Sequence, residues 1–180
     1  LSVRDGNPEI YIMNVNGTEQ RRLTESDASE YDLSWSPNGK FLMFVTGTDS
    51  AAEIYITDPD VVGHIRLTHN EVRDDQPVWS PNGKQIAFVS YLDGDAEIFL
   101  MDSDGGEQTR LTNNDAFDAG PAWSPNGAKI AFRSDRDGNF EIYVMNADGS
   151  GQTRLTNNAA NDGRSAWSPD GAKIAFTSDR

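Results

Sequence analysis

The chain has 180 residues, of which 15 are Lys or Arg and 29 are Asp or Glu, so its formal net charge is −14. Such an acidic chain is a poor candidate for binding nucleic acid, because phosphate binding requires a basic face. Cysteine is absent, which excludes disulfides, thiolate metal sites and a cysteine nucleophile. Hydrophobic residues make up 36% of the chain, enough for a core. No apolar run reaches the roughly 20 residues that a membrane span needs.

A repeat of 44 residues runs through the whole chain without an insertion. It is carried by four tryptophans and, at the same spacing, by Glu-Ile-aromatic and Arg-Leu-Thr triplets; the tryptophans are Trp35, Trp79, Trp123 and Trp167. Periods of about 40 to 50 residues are typical of solenoids and propellers. The choice between them depends on the elements inside one repeat.

Each repeat contains four short apolar runs, which are clearest in the third copy. In chain order they are Pro121-Ala122-Trp123, residues 129–133, residues 141–145 and residues 152–156. Asn-Gly and Asp-Gly pairs separate the first three runs, and such pairs favour tight hairpins. The runs are too short for helices and are rich in Ile, Val, Phe and Tyr. The repeat therefore predicts an all-β β-propeller built from four-stranded antiparallel blades.

Several strings within the repeat resemble those of a known family. They are Trp123-Ser124-Pro125-Asn126-Gly127, Ile130-Ala131-Phe132, residues 134–139 and residues 141–149. These strings resemble the repeats of TolB-like propellers, the WD40-like family also called PD40, and the resemblance covers essentially the whole chain. It implies a bacterial propeller in the periplasm or outside the cell that binds partners on one face. It implies no single activity, because such blades also occur as domains of peptidases and polysaccharide-active enzymes.

The two ends of the chain hold complementary halves of one blade. Leu1 to Asn7 align with residues 133–139, so the first segment supplies a third and a fourth strand, and residues 163–180 supply a first and a second strand. We expect residues 1–180 to form one propeller domain of four blade-equivalents, with a closing blade from about residues 1–24 plus 163–180. Closure by strand pairing would leave no free sheet edge. A homodimer that shares an eight-bladed ring, or a piece of a longer propeller, remains an alternative.

One rim of the predicted ring is acidic. A carboxylate lies five residues before each tryptophan, just before a first strand and so near the central channel, and hairpin carboxylates lie on the same side. Converging carboxylates suit a hard cation such as calcium. The predicted metal ligands are Glu30, Asp74, Asp118 and Asp162. The alternative is that each of them accepts backbone N–H bonds in its own turn.

Two aromatic residues lie in the connections of the same rim, where the turn itself needs no aromatic. Tyr31 is next to Glu30, and Phe117 is next to Asp118. Aromatic side chains beside polar groups often anchor interfaces. We predict that a protein or peptide partner contacts Tyr31, Phe117 and two hairpin carboxylates, Asp93 and Asp137. Partial burial of the aromatics under the loop is the alternative.

The sequence offers little support for catalysis. It has two histidines, both in one repeat, and neither a nucleophile elbow nor a zinc-protease motif. The Glu141 and Arg154 types lie on neighbouring strands and predict cross-strand ion pairs, each worth little where exposed. Our first hypothesis is a non-enzymatic binding or scaffold propeller. A carbohydrate-active enzyme, or an accessory propeller domain of a larger enzyme, is the alternative.

Overall fold

The computed structural model describes residues 8–92 and 94–180, which contain strands and turns and no helix. The strands follow the 44-residue period along the chain. In order they are β1 (Tyr11–Ile12), β2 (Arg21–Arg22), β3 (Ser29–Trp35), β4 (Leu42–Thr48), β5 (Ala51–Thr57), β6 (Ile65–Arg66), β7 (Asp74–Trp79), β8 (Gln85–Ser90), β9 (Glu97–Asp102), β10 (Thr109–Arg110), β11 (Asp118–Trp123), β12 (Lys129–Ser134), β13 (Glu141–Asn146), β14 (Thr153–Arg154), β15 (Asp162–Trp167) and β16 (Ile174–Ser178).

These strands form antiparallel sheets in which neighbours in sequence are neighbours in space. We number the sheets in chain order: sheet I is β1–β2, sheet II is β3–β6, sheet III is β7–β10, sheet IV is β11–β14 and sheet V is β15–β16. Sheets II, III and IV have four strands each, as the repeat predicts for a propeller blade.

The first strand of each complete sheet is longer than the sequence predicts and carries a bulge. In sheet IV the register with β12 shifts between Ala119 and Ala122. The same shift recurs in sheets II, III and V, and the residue after its first partner has a positive φ at Asp32, Gln76 and Arg164. A bulge increases local twist and redirects side chains. The rim carboxylate therefore lies beyond the bulge, as the first residue of β7, β11 and β15 and the second residue of β3.

The hydrophobic core lies between the sheets. Alternate residues of a strand point to opposite faces, so Ile86 and Phe88 of β8 pack with sheet II, whereas Ala87 packs with sheet IV. Residues 86–89 of β8 and 130–132 of β12 are buried on both faces of their sheets, which explains why these segments are continuous apolar runs. Stacking of the sheets brings all the first strands to one side, and their starting residues to one rim.

The described strands do not form a closed ring. Sheets I and V have two strands each, as predicted, but β16 does not pair with β1 in residues 8–92 and 94–180. The sheets instead form an open row. Successive sheets repeat the same packing contacts, which sets a fixed step between neighbours, and these few steps do not bring the first sheet to the last.

Candidate functional site

The four carboxylates of the predicted metal site lie at the starts of the first strands and are buried. Glu30, Asp74, Asp118 and Asp162 are each at most 1% exposed. Asn70, Asn114 and Asn158 each donate a side-chain N–H to the aspartate four residues later, at 2.7 Å. Each carboxylate is thus an acceptor for its own inter-sheet connection.

Burial and hydrogen bonding compete in setting the pKa values of these groups. Burial raises the pKa of Glu30, Asp74 and Asp118, and their hydrogen bonds offset it only in part. At Asp162, burial also acts to raise the pKa, but hydrogen bonds from Ser178 and Asn158 outweigh it and hold the pKa below its usual value. The pKa is therefore raised at three of the four equivalent carboxylates and lowered at the fourth.

The predicted carboxylate ring does not form a common ligand set. In the part of the chain that the structure describes, no three acidic or histidine side chains lie close enough together to hold a metal ion. Each of the four carboxylates instead belongs to a separate sheet. The calcium hypothesis stays a prediction from the sequence.

Beside each rim carboxylate lies a glutamate at or near the start of a third strand. Glu141 Oε1 accepts a hydrogen bond from Arg154 Nη2 at 2.7 Å and from the backbone N–H of Asn158 at 2.8 Å. The equivalent pairs are Arg22–Glu9, Arg66–Glu53 and Arg110–Glu97. The ion pairs are confirmed, but their glutamates are at most 5% exposed. These glutamates are buried structural groups, because each lies beneath the connection to the next sheet.

Of the two hairpin carboxylates of the predicted partner site, the structure describes one. Asp93 lies outside the described residues. Asp137 accepts hydrogen bonds from the Tyr143 hydroxyl and from Arg154 Nη1. Burial and the bond to Asp137 raise the pKa of Tyr143 to about 12. Asp137 keeps 45% of its side chain exposed, so it remains accessible to a partner.

Aromatic and guanidinium groups from sheets II, III and IV follow one another along this rim. Phe117 packs edge to face with Tyr91 and Phe140, at ring-centroid distances of 6.2 and 5.8 Å. The Arg73 guanidinium lies 5.8 Å from the Tyr91 ring. The Arg133 guanidinium lies 5.6 Å from Phe117 and 4.9 Å from Phe140. We call this group the aromatic–arginine strip: Tyr31, Arg73, Tyr91, Phe117, Arg133 and Phe140. All six side chains are partly exposed.

Tyr31 lies at the sheet II end of the strip. Burial raises its pKa, which the positive charge of Arg73 partly opposes. Arg73 in turn donates Nε–H to Asp75 Oδ2. Burial also raises the pKa of Asp75, and the charge of Arg73 offsets this in part. The strip thus combines neutral phenol hydroxyls, aromatic rings and cations on a chain of strongly negative charge.

Sequence reasoning found Tyr31 and Phe117 but missed the other four members of the strip. The signal that could have identified them is that these residues differ from those at the equivalent positions of the other repeats. At the positions 44 residues apart that correspond to Arg133, the chain has Val45, Val89 and Thr177; those that correspond to Phe140 hold Pro8, Ala52 and Ala96. Repeats that share a fold do not need an arginine or a phenylalanine there. Only the packing of sheets II to IV shows that these departures converge.

The sequence profile of the PD40 family, described as the TolB beta propeller domain, matches residues 76–180. None of the curated proteins matches the chain. In residues 8–92 and 94–180, no helix has the length and apolar character to cross a membrane.

Solved structures with a similar fold include two TolB proteins. TolB from Acinetobacter baumannii is 27% identical with a TM-score of 0.75, over 92% of this chain and 42% of that chain. A putative TolB from Agrobacterium tumefaciens is 25% identical with a TM-score of 0.68, over 94% of this chain and 77% of that chain. The present chain thus spans less than half of the Acinetobacter protein.

An enzyme shares the fold at lower identity. A puromycin-hydrolysing peptidase from Mycobacterium tuberculosis is 17% identical with a TM-score of 0.76, over 93% of this chain and 31% of that chain. At this identity the likeness shows a shared fold alone.

Proposed function

Because the chain belongs to the PD40 family of TolB β-propeller domains, we propose that it is a non-catalytic binding module whose aromatic–arginine strip contacts a protein partner. The proposed location is the periplasm or the exterior of the cell, which the family resemblance implies.

The observation that carries this proposal is the convergence of the strip. Its members come from positions at which the repeats differ, yet Tyr91, Phe117 and Phe140 lie in one continuous edge-to-face series across sheets III and IV. Partly exposed aromatic rings with arginine between them have the composition of interface anchors. The strip is preformed, so binding costs little side-chain ordering.

A non-catalytic role fits the acidic groups of the same rim. General acid–base chemistry needs carboxylates that can reach a substrate. Glu30, Asp74, Asp118 and Asp162 are instead buried and accept hydrogen bonds from their own connections. Metal binding is not part of the proposal, because each of these groups serves a separate sheet.

Panning of a displayed random peptide library against the immobilised chain tests the proposal. Enriched peptides are then measured by fluorescence anisotropy against the double variant Y31A/F117A. We expect their affinity to fall at least about tenfold, since aromatic anchors carry most of the energy of an interface.

A matched double variant, I65A/L155A, truncates exposed apolar side chains away from the strip and should bind as the wild type does. Circular dichroism melting confirms that both double variants are folded. Enriched peptides that bind Y31A/F117A with unchanged affinity would contradict the strip as the binding face. Failure to enrich any peptide would contradict a peptide-binding role.

A further inference from the structure

Arg133 is an unusual cation in this chain. Ten arginines lie in residues 8–92 and 94–180; eight of them form an ion pair, and Arg164 is exposed. Arg133 is partly buried without a carboxylate partner in this part of the chain, and its buried Nε has no hydrogen-bond partner there. Its guanidinium makes cation–π contacts with the rings of Phe117 and Phe140.

The register of sheet IV explains why this carboxylate is missing. Arg133 on β12 lies opposite Ala119 on β11. In sheet III the position equivalent to Ala119 holds Asp75, which pairs with Arg73. The pair formed by Asp75 and Val89 in sheet III is thus replaced in sheet IV by Ala119 and Arg133, which places an arginine opposite an alanine. The strand does not need an arginine for packing, because Val45 and Val89 occupy the equivalent positions in sheets II and III.

Cation–π contact with two rings offsets part of the cost of burying this charge. Among residues 8–92 and 94–180, no acceptor pairs with the guanidinium N–H groups of Arg133, and its Nε is buried. A carboxylate is the group whose two oxygens match the planar fork of these N–H groups. The rings of Phe117 and Phe140 lie beside the guanidinium. They can therefore pack against an apolar group of the ligand that carries the carboxylate.

The surroundings limit the charge of the ligand. Asp75 lies on the same rim, and Asp135 Oδ1 accepts the backbone N–H of Phe117 at 2.8 Å. These carboxylates and the net charge of −14 would repel a polyanion strongly. They would repel a single carboxylate on an apolar ligand much less.

We propose that Arg133 binds a single side-chain or terminal carboxylate of the protein partner, next to an aromatic or apolar group that packs on Phe117 and Phe140. This inference rests on the proposed function and names the chemistry that the strip selects.

The probe for the test is N-acetyl-phenylalanine, which has one carboxylate beside one ring, and the matched probe is its uncharged primary amide. Both are titrated at pH 7 into the full chain labelled with ¹⁵N, and arginine Nε–Hε resonances are followed by NMR. The Arg133 resonance is assigned from its absence in R133V. We expect it to shift with saturation on addition of the acid and to stay in place with the amide.

Three variants sharpen this measurement. R133V introduces the residue found at the equivalent positions of sheets II and III, so it should keep the fold and weaken binding of the acid at least about tenfold, the loss expected for a charge-assisted pair. R133K keeps the charge without the fork and should also weaken binding. R164Q removes an exposed arginine, at a position equivalent to Gln76, and should leave the titration unchanged. Resonances of the Phe117 backbone report binding in the Arg133 variants.

An Arg133 resonance that does not shift with the acid, or shifts equally with the amide, would overturn the inference. If library peptides still bind in a manner that depends on Tyr31 and Phe117, the partner face would stand and only the carboxylate site would fall. If the acid binds Arg133 and no peptide depends on those aromatics, the carboxylate site would stand without the protein-binding role.

Discussion

The glutamates at or near the starts of the third strands show how one buried side chain can organise a turn. Glu141 accepts hydrogen bonds from a guanidinium on the fourth strand and from a backbone N–H beyond it. Burial alone acts to raise the pKa of Glu141, but these hydrogen bonds outweigh it and hold the pKa below its usual value. Asp74 has the opposite balance, because burial outweighs its hydrogen bonds and raises its pKa. Removal of the charge should therefore have different effects at the two sites.

We expect E141Q to lower the free energy of unfolding at pH 7 by about 2 kcal/mol, the loss of hydrogen bonds to a charged acceptor. D74N should cause no such loss, because the folded state already disfavours the aspartate charge. Urea unfolding of the wild type and both variants as a function of pH checks this.

The pH dependence has a defined sign at each residue. The Glu141 contribution is fully present above its unfolded value of 4.5 and is lost as the pH falls through the lower folded value. At Asp74 stability falls as the pH rises from 3.8 through the higher folded value. D74N should remove the second effect and E141Q the first. Equal destabilisation of both variants at pH 7 would contradict this assignment.

In sheets III and IV, the turn before the fourth strand contacts the preceding sheet. In sheet III, Gly105 has φ +91°, and a Cβ atom there would lie 2.8 Å from the Leu67 carbonyl oxygen of sheet II. Gln108 Nε2 donates to that same carbonyl at 3.3 Å. Gly149 and Gln152 repeat this contact between sheets IV and III. The turn therefore needs a glycine for its backbone and for its close approach.

Alanine substitutions at equivalent glycines separate these two requirements. Gly17 occupies the same turn in sheet I with φ +82° and has no atom within 4 Å of a built Cβ. G17A should cost about 1 kcal/mol, the penalty of a left-handed backbone. G105A should cost about 3 kcal/mol, because displacement of the Leu67 carbonyl is added. Thermal unfolding measures both, and equal costs would contradict the close approach.

The repeated tryptophans form a second contact between sheets, and they are not equivalent. Trp123 Nε1 donates to the Val78 carbonyl of sheet III at 3.3 Å, whereas Trp79 Nε1 is buried without a partner in the described residues. Trp-to-Phe substitution should thus cost about 1 kcal/mol more at Trp123 than at Trp79. Chemical unfolding followed by circular dichroism checks the difference. A larger loss for W79F would contradict the hydrogen-bond assignment.

For the whole molecule, the open row of sheets leaves strand β16 unpaired on one side in the described residues. β12 occupies the same place in sheet IV and pairs with β11 and β13. Hydrogen exchange followed by mass spectrometry should therefore show faster exchange in residues 174–178 than in residues 129–134.

Equal protection of the two segments would contradict the open edge and indicate that another strand covers β16. A native mass of 19.8 kDa would then assign that strand to the same chain. Twice this mass would assign it to a second copy.

The residue order alone predicted the repeat, the all-β class with four-stranded antiparallel sheets and the family, because the 44-residue period and the Asn-Gly and Asp-Gly turns are visible in it, but it wrongly predicted closure of the ring. It also placed Tyr31 and Phe117 on one rim, since strand order sets which turns share an end of a sheet. The ion pairs between third and fourth strands followed from neighbouring strands in the same way.

Burial, register and the contacts between repeats become visible only in the folded chain. Sequence spacing aligns Glu30, Asp74, Asp118 and Asp162 but cannot show that each turns into its own connection, because bulges and side-chain direction depend on packing. Likewise, Arg133 has no carboxylate partner in the part of the chain that the structure describes, because Ala119 lies opposite it, and the Phe117 and Phe140 rings beside it come from separate loops. The physical reason is that a repeat fixes each sheet locally, whereas the strip arises where different residues of successive sheets meet.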